Sequence, residues 1–224
     1  MDTFKDIRPY KDSEVTEVVQ SLVSSPSVLK ALMGLQFPGL VSKLPFMKFF
    51  VKQKLISKAK TINTISDYQM LFKSLMEKVI QESISSFTVN GLDKLSADDS
   101  YLFISNHRDI TLDAALLAFK LHQSNFQTFN IAVGNNLMEE TWASDLFRLN
   151  KSFIIQRSGA SKKEIYASLL MASKFIHQSI FKENNSVWIA QKQGRAKDGI
   201  DETDPALLKM IHLSERKSQS IASY

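Results

Sequence analysis

Two stretches of this chain carry residues that could do chemistry. The first is Ser105-Asn106-His107-Arg108-Asp109-Ile110-Thr111-Leu112-Asp113, entered by the apolar run Tyr101-Leu102-Phe103-Ile104. It places an imidazole, His107, within local reach of two carboxylates, Asp109 and Asp113. A neutral imidazole is the side chain best matched to moving a proton near pH 7, and a carboxylate beside it holds its tautomer and stabilises the imidazolium. A plainer reading is also open, because such a string at a strand end can be a capped turn whose polar side chains satisfy backbone groups. The second stretch is Gln193-Gly194-Arg195-Ala196-Lys197-Asp198-Gly199, where two cations sit between glycines that allow close backbone approach. Arg157, in its own polar turn, adds a third cation. Arginine suits an anionic ligand because its planar fork can donate two parallel, charge-assisted hydrogen bonds.

The elements that must position these residues follow from periodicity. Spacing of about 3.6 residues predicts helices over Ser13 to Val23, Ser27 to Gln36, Leu40 to Lys60 and Ser66 to Ser83. After residue 86 short β-rich runs alternate with helical patterns. Strands are expected at Phe87 to Val89, Tyr101 to Ile104, Phe129 to Val133, Ser152 to Ile155 and Val187 to Ala190. Helices are expected at Leu112 to His122, Glu139 to Leu149, Lys162 to Phe181 and Ala206 to Ala222. Two of these starts carry their own caps: Ser161 with Glu164 has capping-box spacing, and Asp204-Pro205 offers an acceptor followed by proline at the first helical position. The expected fold is α/β, a mixed sheet flanked by helices and preceded by an N-terminal helical segment, divided as residues 1–85 (helical, basic, amphipathic) and 86–224 (the α/β domain). His107, Arg157 and Arg195 then each follow a strand, and in open α/β sheets ligands bind at the carboxyl ends of strands. A base at one strand end and cations at two others describe a pocket for an anionic substrate bearing a hydroxyl.

Composition bounds the rest. Of 224 residues, 44% are hydrophobic and 23% charged, which suits one globular unit or one domain with a smaller appendage. Cysteine is absent, which removes thiol nucleophiles, disulfides and thiolate metal sites. The four histidines lie far apart and form no His-x-x-x-His pair, so no metal is expected. No apolar stretch approaches the roughly 20 residues that span a bilayer, and the first residues lack a signal-peptide pattern, so a cytoplasmic location is expected. The formal charge of +5 is unevenly placed: between Lys30 and Lys60 there are seven lysines and no acid, interleaved with Leu, Met and Phe. Such a block suits an anionic bilayer surface, at about 1 kcal/mol per cation near the headgroups, or a helix docked on the rest of the chain. Nucleic acid is not expected, since arginine is scarce there and no reader motif is present. A protein-kinase catalytic loop is excluded because Ala114 stands where its asparagine belongs.

The three polar segments together resemble the glycerolipid acyltransferases of the glycerol-3-phosphate and 1-acylglycerol-3-phosphate type. Asn106-His107 with Asp113 is similar to their first motif, Asn-His, four residues, Asp, although five residues intervene here. Lys151-Ser152-Phe153-Ile154-Ile155-Gln156-Arg157 resembles the second, Gly-x-x-Phe-Ile-x-Arg, with lysine in place of glycine. Gln193-Gly194-Arg195 resembles the third, Pro-Glu-Gly-Thr-Arg-Ser, with Gln193 in place of glutamate. A fourth, proline-containing strand motif is not visible, so truncation of the α/β domain at its C-terminus is one expectation.

The resemblance implies that His107 is a general base, oriented by Asp113 or Asp109, for acyl transfer from acyl-CoA or acyl carrier protein to a hydroxyl of glycerol 3-phosphate or its monoacyl derivative. It implies that Asn106, Arg157, Gln193, Gly194, Arg195 and Lys197 bind substrate, with no cofactor beyond the acyl donor. It also implies peripheral attachment at the inner face of the membrane. A catalytically impaired, membrane-associated binding protein on the same fold is the alternative, favoured by Gln193 and the shifted aspartate.

Overall fold

The computed structural model describes residues 2–36, 45–138, 140–156, 159, 161–218 and 220. Eight α-helices are present among them: α1 (Asp12–Ser24), α2 (Pro26–Gln36), α3 (Pro45–Ala59), α4 (Ile65–Ser83), α5 (Leu112–Gln123), α6 (Thr141–Leu149), α7 (Lys162–Phe181) and α8 (Pro205–Ile211). Four strands, β1 (Leu102–Ser105), β2 (Asn130–Gly134), β3 (Ser152–Ile155) and β4 (Val187–Ala190), form one sheet in the order β1-β4-β2-β3. The α/β reading holds; the sheet expected to be mixed is parallel in all three of its pairings. Parallel strands need long crossovers, and helices supply them here.

The chain divides into two compact units. The sheet unit comprises Met1–Arg8, Lys73–Asn136 and Lys151–Tyr224; the helical unit comprises Pro9–Phe72 and Leu137–Asn150. In the helical unit, Val15, Val19 and Leu22 fall on one face of α1 at spacings of four and three. They pack with Val28, Ala59, Ile62, Tyr68 and Leu149. The α1 start is fixed by Glu14, whose carboxylate accepts from the Lys11 backbone N–H at 2.7 Å.

In the sheet unit, strand alternation sorts side chains to two faces. Val187 and Ile189, with Phe153 and Ile155, pack against Ala172, Phe175 and Ile176 of α7 and Leu207, Met210 and Ile211 of α8. Trp188, with Phe103, Ile131 and Ala190 beside it, packs against Ala114, Leu117 and Leu121 of α5. The central strand β4 is buried on both faces, which is why its sequence Val-Trp-Ile-Ala reads as a continuous apolar run. The β3 edge is covered by the chain's first residues: the Ile154 N–H donates to the Ile7 carbonyl at 2.9 Å, and Phe4 meets Phe175 edge-on at 5.5 Å.

Two expected elements differ. Phe87 to Val89 forms no strand; Phe87 instead lies half-buried under the Lys120 ammonium, 5.0 Å from its ring centre. The last helix ends at Ile211 rather than Ala222. The Ser173 hydroxyl donates to the Ile211 carbonyl at 2.7 Å and accepts from the Ser214 N–H at 2.9 Å, satisfying the groups that a further helical turn would have used. Both predicted caps are present, with Ser161 accepting from Glu164 N–H and Asp204 from Ala206 N–H.

Lys151, just before β3, holds a left-handed backbone (φ 58°), the conformation that glycine adopts most easily and the position where the resembled second motif carries glycine. Its ammonium donates to the Thr128 carbonyl, and burial pushes its pKa down to about 8. Below pH 8 the amine is protonated in folded and unfolded chain alike, so the full desolvation penalty is present there. Between pH 8 and the ordinary lysine range near 10.5 the unfolded chain binds more protons, so the folded state gains as pH rises. Wild type should therefore gain stability relative to Lys151→Met across that window and not below it, measured as the difference in urea-unfolding free energy against pH.

Candidate active site

The imidazole turn leaves the carboxyl end of β1. Asp113 lies in the first turn of α5, where the helix dipole favours a carboxylate. Its Oδ2 accepts from His107 Nδ1 at 2.9 Å and from the Arg108 backbone N–H at 2.8 Å, and it also meets the Asp109 N–H at 3.1 Å. A carboxylate already accepting from two backbone N–H groups acts as acceptor toward the ring as well. With a carboxylate as its partner Nδ1 carries the hydrogen, and in the neutral ring the lone pair is then on Nε2. The imidazole and Asp113 are both partly exposed, each at 16% of side-chain area.

Asp109 has a different task. Its Oδ1 accepts from the Thr111 and Leu112 N–H groups, both at 2.8 Å, and so caps α5. The Leu112 and Thr111 N–H groups hold its carboxyl below the usual carboxylate range, and the charges of Arg195 and His107 act in the same direction. Of the two aspartates that the sequence leaves open, Asp113 is the one against the ring.

The cation-bearing segment leaves the carboxyl end of β4, the parallel neighbour of β1. The β1–β4 ladder extends one step further through the Gln191 N–H, which donates to the Ser105 carbonyl at 2.8 Å. The Ala196 N–H then donates to the His107 carbonyl at 2.8 Å, joining the loop to the imidazole turn. Gln193, Gly194, Arg195 and Lys197 are exposed on this loop, with Gly194 at φ 77° and Gly199 at φ 79°, both left-handed. Asn106 is exposed, and its carbonyl accepts from the Ser105 hydroxyl at 3.0 Å. Arg157 lies outside the described residues.

Three neighbours of the imidazole carried no signal in the sequence. Trp188 in β4 meets the His107 ring edge-on at 6.4 Å between centroids, and its indole N–H donates to the Ser105 hydroxyl at 3.0 Å. Ala196, apolar and unremarked between two cations, supplies the link to His107. Arg108 reaches across to the loop, where its guanidinium donates to the Ala196 carbonyl at 3.1 Å and pairs with Asp201. These contacts join residues about 90 positions apart, which local spacing does not reveal.

Taken chemically, the site offers an imidazole fixed through Nδ1 and a loop of exposed cations tied to its backbone. No curated protein matches the chain. A family model described as Acyltransferase matches residues 86–198, which span β1 to β4, the His107 turn and the loop as far as Asp198. That match covers half of the chain, and the chain belongs to the acyltransferase family.

Proposed function

We propose that the chain transfers a fatty acyl group from acyl-CoA or acyl carrier protein to a hydroxyl of glycerol 3-phosphate or 1-acylglycerol 3-phosphate. The observation that carries this reading is the His107–Asp113 pair at 2.9 Å, its backbone joined to the Arg195–Lys197 loop. His107 Nε2 takes the proton from the acceptor hydroxyl as that oxygen attacks the thioester carbonyl carbon. The tetrahedral adduct collapses with cleavage of the carbon–sulfur bond, and the departing thiolate recovers the proton from the imidazolium. Asp113 holds the ring and offsets its charge. Arg195 and Lys197, with Arg157 on the strength of its motif, bind the phosphate and set the hydroxyl against Nε2. Holding two reactants in register contributes several kcal/mol of the barrier reduction. Asn106, Gln193 and Gly194 border the same ligand.

The monoacyl acceptor and the acylated product of such a reaction are bilayer lipids, and α3 has the surface for a bilayer. Phe49 and Phe50 are 61% and 66% exposed, and Lys52 and Lys54 on the same helix are exposed as well. Among the described residues no helix is long and apolar enough to cross a membrane. Peripheral attachment to an anionic, cytoplasmic leaflet is the mode that fits rings and ammonium groups on one short helix.

Two measurements test these readings. Thiol release from acyl-CoA with 1-acylglycerol 3-phosphate or glycerol 3-phosphate should fall by at least about 10²-fold in His107→Ala, the usual worth of a general base. Turnover unchanged by that substitution refutes the assignment, and a wild type that binds acceptor without turnover supports the impaired binding protein instead. In vesicle co-sedimentation, binding to anionic vesicles should weaken as salt rises and drop at least about tenfold in Phe49→Ala/Phe50→Ala, since each ring buries about 1.5–3 kcal/mol of apolar surface. Binding indifferent to lipid charge, salt and both rings removes the membrane contact.

A further inference from the structure

Arg108 follows the imidazole in sequence yet turns away from it. Its Nη1 donates to the Ala196 carbonyl at 3.1 Å, its Nη2 to the Gly199 carbonyl at 3.4 Å, and Nη2 also pairs with the Asp201 carboxylate. A Cβ at Gly199 would stand 3.9 Å from Nη1, so the guanidinium lies against that backbone. Residue 196 is thus gripped from both sides: its N–H by the His107 carbonyl and its C=O by Arg108. Ala196 is buried while its neighbours Arg195 and Lys197 are exposed. The two cations flank a backbone unit whose position is set by residues 107 and 108.

Stability does not account for this arrangement. The Arg108 and Asp201 side chains are 46% and 27% exposed, and ion pairs in that setting contribute little. Nor does the loop need Arg108 for its shape. Asp198 accepts from the Ile200 N–H at 3.1 Å, the Lys192 ammonium donates to the Ile200 carbonyl at 2.8 Å, and the Lys197 N–H donates to the Arg195 carbonyl at 3.0 Å, all within the loop itself. What Arg108 adds is placement of the loop relative to the imidazole turn. Its two terminal nitrogens are turned onto two carbonyls and a carboxylate, so it is not presented as a ligand for the phosphate. A fork of donors can serve several acceptors at once in a way that a lysine cannot.

We propose that Arg108 is a positioning residue that registers the cation-bearing loop with His107 and thereby sets the spacing between the cations that hold the acceptor's phosphate and the imidazole that meets its hydroxyl. This rests on the acyl-transfer reading above. Misplacement by about 1 Å at a distance from the reacting atoms can cost on the order of 10²-fold, so a clamp without substrate contact can still govern the reaction.

The test compares wild type with Arg108→Ala, Arg108→Lys and Asp201→Asn. Its readouts are the KM for 1-acylglycerol 3-phosphate, the KM for acyl-CoA, turnover of monoacylglycerol as a phosphate-free acceptor, and amide hydrogen exchange over residues 193–201. Arg108→Ala should raise the phosphorylated acceptor's KM by about tenfold, leave the donor KM and monoacylglycerol turnover within about twofold, and speed exchange of the Ala196 amide about tenfold or more. Arg108→Lys should recover part of the acceptor KM, and Asp201→Asn should shift it the same way by about threefold. Acceptor KM unchanged in both Arg108→Ala and Asp201→Asn overturns the proposal, as does a parallel rise in donor KM or unchanged exchange. If Arg108→Ala does not fold, Asp201→Asn and Arg108→Lys decide by the same criteria. If wild type acylates no acceptor, the acyl-transfer reading fails on its own, and exchange alone then decides whether the clamp exists.

Discussion

The site exists because β1 and β4 are parallel neighbours. Ser105 pairs with Ala190 at the carboxyl ends of the two strands, and the ladder runs on through Gln191. Parallel pairing obliges both chains to leave the sheet at the same edge, so the turn of residues 106–111 and the loop of residues 191–199 must share one space. That is how an imidazole and two cations nearly ninety positions apart come to hang on adjacent backbone. An antiparallel arrangement of the same strands would send one of the two segments to the opposite edge. The apolar burial of Val187, Trp188 and Ile189 thus bears on function through geometry, because it holds the central strand from which one half of the site departs.

Within that space two carboxylates divide the work. Asp109 satisfies the orphan N–H groups at the start of α5, and Asp113, one turn later, is left for the imidazole. Five residues separate His107 from Asp113, four of them in the turn before α5 begins at Leu112. Asp113 still meets Nδ1 because the Arg108 and Asp109 N–H groups fold back onto its carboxylate. The backbone of the turn is therefore shaped by the same side chain that orients the ring, so losing that carboxylate would disturb both.

Much of the fold was legible in the sequence, and the misses share a cause. The bounds of β3, β4 and α7 coincide with those read from periodicity because long apolar patterns and local caps determine them. Phe87 to Val89 has β-rich composition and no partner strand, and composition carries no information about partners. The run after Ile211 has helical spacing, but Ser173, distant in sequence, takes the carbonyl there. The candidate residues themselves stand out by type and by their places after strands. Which aspartate meets the ring depends on how the backbone N–H groups of the turn are shared between the two carboxylates, which spacing alone leaves open, and that Ala196 and Arg108 link turn to loop depends on contacts between distant segments that no local pattern encodes.

In the proposed reaction Asp113 fixes the His107 ring with its hydrogen on Nδ1, leaving Nε2 as the base. Nitrogen-15 NMR of the histidine side chains, with His107 assigned by substitution, reads this directly at a pH where the ring is neutral. A predominant Nδ1–H tautomer is expected in wild type, with its loss in Asp113→Asn. A wild-type ring protonated on Nε2, or a tautomer indifferent to Asp113→Asn, contradicts it.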